Sequence, residues 1–562
     1  MKHFFRILVS LSALFTLSNC NKKEQPKVQQ PNVLFVLMDD LGYGQFGIYN
    51  DTITTADFNP FFVSLVDSLQ GYSLEKSLEY SKTAIPTLTK LAKEGVTFTN
   101  AYTSSNVCSP SRLGMITGIL QNRWGIYTND DSEQSGIRKG THLAEKIKAS
   151  GYRTAHIGKW HIGQRNDQIL HKILTKHQLA KDTNFYLLKP THPELFNEIR
   201  ESGYLGSVVE SQNPLNHGFD YYYGYNHWAS QYYNSYNIWE NRTHLGKQAG
   251  YNTDVFTEKA IEKIDESLQE NKPFYVQLHY HAVHDSVELK APDKYLEKFN
   301  SDSFELNNFY AHLYAVDKNI EKIVDFLKAK EAYKNTIIVF TSDNGAMSGG
   351  SYDGHKSGSP LPGNTPFSGH KGNYYLGGFR VPFFIHWPNG IKQQKLSNTL
   401  VSTMDILPTV LDAVGTKVPD SLDGKSLLSL LNNQKEEKIH DYLLWSGVHA
   451  TKWGYLIANS TKTHADEDQF APPAWVVIKD NYLLRFTGKI EAGLYYDQMA
   501  GRAPVLELFD IKNDPSETKD ISKDHPDKVK EMKAIYFKES KNFPRPIHWE
   551  ESNWHELKKE KV

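Results

Sequence analysis

Four runs of apolar and β-branched residues, each ending in side chains suited to chemistry, constrain how this chain can fold. Asn32–Met38 (N-V-L-F-V-L-M) runs straight into Asp39-Asp40, and Tyr152–Ile157 leads into G-K-W-H. Phe274–Leu278 leads toward His281 and His284, and Thr336–Phe340 (T-I-I-V-F) into T-S-D-N-G. Continuous rather than alternating apolar character predicts strands covered on both faces, as in mainly parallel sheets. Thr87–Glu94, His142–Ser150, Thr253–Glu270 and Asn308–Ala329 read as helices between them. Strands alternating with helices indicate an α/β sandwich around a large, mainly parallel sheet. In such sheets ligands bind beyond the carboxyl ends of the strands, which is where the polar residues fall.

After Val414 the character changes. L-V-S-T-M-D-I-L-P-T-V-L-D-A-V-G reads as a closing helix and Leu428–Lys438 as a linker. Strand-like pieces follow at Tyr442–Trp445, Ala474–Ile478 and Tyr482–Thr487. The expected division is a catalytic domain over 31–435 and a smaller C-terminal α+β domain over 436–562. A net charge of −2 argues against nucleic-acid binding, which needs a basic footprint, and 39% apolar residues argue against disorder. Residues 1–20 have the form of an export signal: Lys2 and Arg6, the apolar Ile7–Leu17, then L-S-N-C. That ending resembles a lipobox, with Cys20 lipidated and 21–30 a polar tether, although Asn19 stands where Gly or Ala is usual. Plain secretion is the alternative. No other segment is a transmembrane candidate.

Cys108 is the only cysteine besides Cys20, so a disulfide framework is not indicated. It lies in N-V-C-S-P-S-R-L-G-M-I-T-G, with Pro110, Ser111, Arg112, Thr117 and Gly118 around it. Read alone, it is a small buried hydrophobe or a reactive group. The run resembles the signature of the formylglycine-dependent sulfatases, the arylsulfatase-like branch of the alkaline-phosphatase superfamily, with Ile116 where Leu is commoner. In that family the cysteine is oxidised to an aldehyde whose hydrate is the nucleophile. P-N-V-L-F-V-L-M-D-D-L-G-Y-G and T-S-D-N-G are similar to the family's two acidic phrases, and the resemblance covers most of Pro31–Lys425. It implies an alkaline-phosphatase-like fold and a sulfuric ester hydrolase.

The resemblance also implies roles for particular residues. Asp39, Asp40, Asp343 and the Asn344 amide oxygen, with the group derived from Cys108, form a hard oxygen cage suited to Ca²⁺. Without that context, Asp39-Asp40 reads equally as a helix cap and Asp343-Asn344-Gly345 as a turn. Lys159 holds a sulfate oxygen, and His161 bonds the nucleophile's second hydroxyl and takes its proton. Lys371, in S-G-H-K-G-N, bridges sulfate and leaving oxygen, and Arg112 orients the hydrate. His284 protonates the leaving alcohol, with His281 the fallback; Val283 and Ser286 depart from the family's loop.

Other departures are Gln45, where the family often has Asp, and an insertion over Asp51–Tyr80 that is expected to form a surface excursion at the pocket rim. The aromatic stretch His217–Trp239 either stacks on sugar rings or packs against the sheet. The expected partners are a sulfated oligo- or polysaccharide, an algal one such as ulvan or another sulfated glycan, and a formylglycine-maturation enzyme. The expected place is outside the cytoplasm, lipid-anchored in the outer membrane or periplasm. Two rival readings are a formylglycine-dependent phosphonate or phosphodiester hydrolase and a non-catalytic glycan-binding lipoprotein.

Overall fold

The computed structural model describes residues 30–69, 71–284, 290–347, 358–432, 437–448, 473–488 and 504–546. The export signal, Cys20 and all but the last residue of the tether lie outside them. No helix among the described residues is long and apolar enough to cross a membrane.

Among the described residues, sixteen strands fall into three sheets. The main sheet is formed by β1 (Asn32–Met38), β2 (Val96–Phe98), β4 (Arg153–Lys159), β5 (Tyr221–Tyr225), β6 (Trp239–Glu240), β7 (Thr243–His244), β8 (Phe274–His279), β9 (Thr336–Ser342), β10 (Phe383–His386) and β11 (Lys395–Ser397). Its order is β11-β2-β10-β9-β1-β8-β4-β5-β6-β7. The five central strands, β9, β1, β8, β4 and β5, run parallel. β10 on one side and β6 on the other are antiparallel to them. β3 (Ala101–Tyr102) pairs with β12 (Val401–Ser402) in a two-stranded sheet.

β1 shows why its sequence has no polar alternation. All seven residues are buried. Leu34, Val36 and Met38 enter one apolar core and Val33, Phe35 and Leu37 another, on the opposite face. The first core is roofed by helices Pro86–Lys93, Asn252–Gln269 and Phe304–Ala329. The second is roofed by Cys108–Thr117, Leu143–Lys148 and Ile406–Ala413. The expected α/β sandwich is therefore present, with the Cys108 helix on one face and the long helices on the other.

The small C-terminal sheet is antiparallel: β13 (Leu443–Val448), β14 (Pro473–Lys479), β15 (Tyr482–Thr487) and β16 (Val505–Asp510), in that order. One face is covered by helix Pro526–Ser540, with Trp475 stacked on Tyr536 at 4.3 Å. Its other face abuts the large sheet's domain, where Trp445 stacks on Phe379 at 4.4 Å.

Two expectations need correction, and one open alternative is decided. Leu428–Asn432, read as linker, is a helical turn whose Leu430 and Leu431 are buried in the second core. Of the two readings of the aromatic stretch His217–Trp239, packing against the sheet holds for most of it: Phe219, Tyr222, Tyr223, Tyr225 and Tyr232 are buried. The Asp51–Tyr80 insertion is no mere surface excursion, because Phe58, Phe62, Val66, Tyr72 and Tyr80 enter the first core. It braces the loop before Lys371, with the Tyr72 hydroxyl accepting from Leu361 N at 2.8 Å.

Candidate active site

The register of three parallel strands brings the acidic residues together. Met38 pairs with Ser342 and Leu37 with His279, so the chains leaving β1, β9 and β8 emerge at one edge. Asp343 N donates to Met38 O at 3.2 Å, and Asp40 N to the Asp343 carboxylate at 3.2 Å. The Asn344 amide donates to Asp40 Oδ1 at 2.7 Å. Asp39, Asp343 and Asn344 are fully enclosed. β4 supplies Lys159, and Gly158 before it has φ +104°. A Cβ at Gly158 would lie 1.9 Å from the His279 carbonyl, so only glycine lets β4 and β8 close there.

Three buried cations meet the three carboxylates. Arg112 forks onto Asp343 Oδ2 through Nε at 2.9 Å and Nη2 at 2.8 Å, and Nη2 lies 3.5 Å from Asp39. Lys159 Nζ donates to Asp39 at 2.6 Å and to Trp228 O at 2.7 Å. Lys371 Nζ is 2.8 Å from Asp40 Oδ1. Burial pushes the Asp39 carboxyl upward, but Lys159, His284 and Arg112 outweigh it and hold the group below its usual range. Two enclosed oxygens, Asp39 Oδ1 and Asn344 Oδ1, accept no hydrogen bond among the described residues. Enclosed oxygens without a donor, beside clustered carboxylates, fit a hard divalent cation.

Cys108 opens helix Cys108–Thr117 and is buried. Its sulfur and oxygens of Asp39, Asp40 and Asp343 all lie within 4.8 Å of one another. Burial raises the thiol to about 12, against the pull of Lys159 and Lys371. A thiol held protonated is a poor nucleophile. The position is thus placed for chemistry that the unmodified side chain is ill-suited to perform.

Two histidines reach the same centre. His161, at φ 54°, turns Nε2 toward Glu133 Oε1 at 3.3 Å, while its Nδ1 makes no hydrogen bond among the described residues. The Ser109 hydroxyl holds the His161 carbonyl. Burial, with Lys159, Arg112 and Lys371 close by, drives this imidazole well below its usual range and keeps it neutral. His284 Nε2 stands 3.8 Å from Asp40 Oδ2. His281 stacks on Tyr232 at 4.6 Å and meets the edge of Tyr225 at 5.9 Å. The geometry therefore turns His284 toward the carboxylates and His281 toward the aromatic core.

Asp39, Asp40, Cys108, Arg112, Lys159, His161, His284, Asp343, Asn344 and Lys371 are thus gathered in one place. Sequence reasoning overlooked Glu133, and also His279, whose Nδ1 lies 3.4 Å from Arg112 Nη1. His279 was discoverable as the last residue of the β8 run; Glu133 has no such signal.

A family profile described as Sulfatase matches residues 31–416, and one described as N-sulphoglucosamine sulphohydrolase, C-terminal, matches 370–463. The chain is 34% identical to the Uncharacterized sulfatase YdeN of Escherichia coli K12 over 420 residues, covering 74% of this chain and 68% of that protein. It is 25% identical to the N-acetylgalactosamine-6-O-sulfatase of Bacteroides thetaiotaomicron, covering 95% and 99%. Among solved structures, Ps i-CgsB in complex with k-i-k-neocarrahexaose matches with a TM-score of 0.64 at 21% identity, covering 94% of this chain and 98% of that one. The last likeness is one of fold.

Proposed function

The chain belongs to the sulfatase family and is a sulfuric ester hydrolase, and from that premise we propose that its substrate is a sulfated carbohydrate. An algal polysaccharide such as ulvan is the first candidate, and an animal glycosaminoglycan the second. The observation that carries the reading is the Cys108 sulfur set within 4.8 Å of three carboxylate groups, with three buried cations on the same carboxylates. The names of relatives support the saccharide: one is an N-acetylgalactosamine-6-O-sulfatase, and a structural neighbour was solved with a neocarrahexaose.

Oxidation of Cys108 to formylglycine would supply the nucleophile as an aldehyde hydrate. Asp39, Asp40, Asp343 and Asn344, with the Cys108-derived group, would hold Ca²⁺, which when bound supplies positive charge toward the sulfate oxygens. The candidate ligands are oxygen donors apart from Cys108, and no imidazole is among them, which separates this reading from a transition-metal phosphonate hydrolase. Lys159 and Lys371 place ammonium groups where sulfate oxygens gather charge, and Arg112 fixes Asp343 against the nucleophile. His161, neutral and with an open Nδ1, can take a proton from the nucleophile; His284 can give one to the departing alcohol. The anchor proposed for Cys20 would put this chemistry outside the cytoplasm, where polymeric sulfates are met.

The test is a release assay on defined sulfated oligosaccharides, using enzyme co-produced with a maturation enzyme. Peptide mass spectrometry should show sulfur lost and oxygen gained at Cys108, and Cys108→Ala should abolish turnover. Rapid turnover of aryl sulfates with no saccharide desulfated would overturn the substrate assignment; full activity of Cys108→Ala would overturn the nucleophile.

A further inference from the structure

After His161 the chain leaves the sheet for a helical excursion before β5. Helices Asp167–Lys176, Leu188–Thr191 and Pro193–Glu201 enclose a small apolar core of their own, with Leu170, Leu174, Phe185 and Ile199 at its centre. The excursion brings two side chains to the edge of the catalytic centre. Tyr186 is 44% exposed although its ring packs on Phe185, and its hydroxyl lies 3.2 Å from His227 Nε2. The His227 ring lies 4.9 Å from Trp228, whose carbonyl holds Lys159 and whose ring is 6.3 Å from His284. Arg165, four residues past His161, lays its guanidinium over Tyr204 at 5.3 Å. Its enclosed Nη1 makes no hydrogen bond among the described residues, while the rest of the guanidinium is held by the Tyr186 hydroxyl and drawn toward Glu133. Opposite stand Glu133, on His161, and Asp130 one turn before it on helix Asn129–Ser135.

An enclosed guanidinium nitrogen without an acceptor is costly unless a ligand completes it, and an exposed tyrosine beside it offers an apolar face. The geometry points to a subsite for the sugar ring that carries the scissile ester: Tyr186 stacks on the pyranose, Arg165 donates to a ring hydroxyl oxygen, and Glu133 accepts from a hydroxyl. Two carboxylates face one guanidinium, so the recess takes an uncharged ring and rejects a second sulfate or a uronate at this position. This inference rests on the saccharide reading above and deepens it.

The experiment compares Tyr186→Ala and Arg165→Gln with the wild type on a monosulfated oligosaccharide, its disulfated counterpart and 4-nitrophenyl sulfate. Both variants should lose about tenfold or more in kcat/KM on the saccharide, chiefly through KM. On the aryl sulfate, which has no sugar to recognise, they should stay within about twofold. Glu133→Gln should raise the ratio of disulfated to monosulfated turnover; being a ratio within one variant, it is insensitive to any effect on His161. Tyr186 is exposed, so its variant keeps the fold even if Arg165→Gln does not. If the wild type cleaves saccharides but the variants lose sugar and aryl turnover equally, or lose neither, the subsite is wrong and the saccharide reading stands. If the wild type cleaves only aryl sulfates and calorimetry detects no saccharide binding, both fall.

Discussion

Asp40 and His161 both sit in the left-handed backbone region, at φ 63° and 54°. For residues with a Cβ this costs of order 1–3 kcal/mol and persists only where neighbours over-determine it. Here they do: Asp40 N is held by Asp343 and Leu41 N by the Ser342 hydroxyl. The His161 carbonyl is held by Ser109, and Ile162 N by Asn226 at 2.9 Å. The bends aim one carboxylate and one imidazole at the centre instead of along their strands. On the proposed reading His284 gives the proton to the departing oxygen, and its effect should depend on the leaving group. Removing a general acid costs about 10²–10⁴-fold when the departing oxygen is a sugar alcohol, and little when it is an acidic phenol. Steady-state kinetics of His284→Ala on both substrate types checks this; equal losses would move the acid role elsewhere. Most of this centre was legible because its residues terminate apolar runs, and a strand end is a place that register controls. Glu133 and Arg165 were not, since the segments bearing them meet only through tertiary packing.

The small C-terminal sheet does more for the site than its distance in sequence suggests. Lys371 lies on the loop between Pro366 and Leu376, and residues after β16 fasten that loop. Ser516 donates to Pro366 O at 2.7 Å and accepts from Ser368 at 2.6 Å through its carbonyl. Glu517 accepts from Leu376 N at 2.9 Å and pairs with Arg485 at 2.8 Å. Arg485, from β15, also pairs with Glu507 and covers the Tyr375 ring at 4.0 Å. Burial pushes Glu517 up to about 7 even beside Arg485. Glu517→Ala leaves a buried guanidinium under-compensated and an amide without its acceptor, a loss of about 3–5 kcal/mol. Glu517→Gln keeps an acceptor for Leu376 N and should lose clearly less. Denaturant unfolding of the two variants checks the order, with kcat expected to fall in the same sequence as Lys371 loosens; an alanine variant as stable and active as the wild type would dismiss the clamp. At this scale the grip of Ser516 and Glu517 on the Lys371 loop depends on a contact between segments far apart in sequence that no local pattern encodes. Helix Asp167–Lys176 did leave a signal, Leu170, Ile173 and Leu174 at helical spacing, but polar stretches on both sides obscured it.

For the whole molecule, the decisive quantity is the charge balance at the sheet's edge. Asp39, Asp40 and Asp343 are offset by Arg112, Lys159 and Lys371, and the Cys108 thiol is held neutral. Without a metal the centre is therefore close to neutral, and a divalent ion leaves it positive by two charges, which suits a sulfate group gaining charge as its ester breaks. The parallel-sheet architecture makes this possible: strands from β1, β4, β8 and β9 end side by side, so groups more than 300 residues apart share one cage. That architecture was legible in the unbroken apolar runs, because a strand buried on both faces can afford no polar alternation. The cage should consequently couple calcium to global stability. An ion bound only by the folded chain, at one hundred times its dissociation constant, contributes about 2.7 kcal/mol. In a protein of this size that corresponds to a rise of about 2–3 °C in apparent Tm. Scanning fluorimetry in chelator and then in rising Ca²⁺ should show this shift in the full chain. Asp343→Asn, which removes one ligand charge, should flatten it, whereas Glu517→Gln should lower the baseline Tm and leave the calcium shift intact. Identical melting with and without Ca²⁺ would remove the metal from the account and leave the three cations as the site's only positive charge.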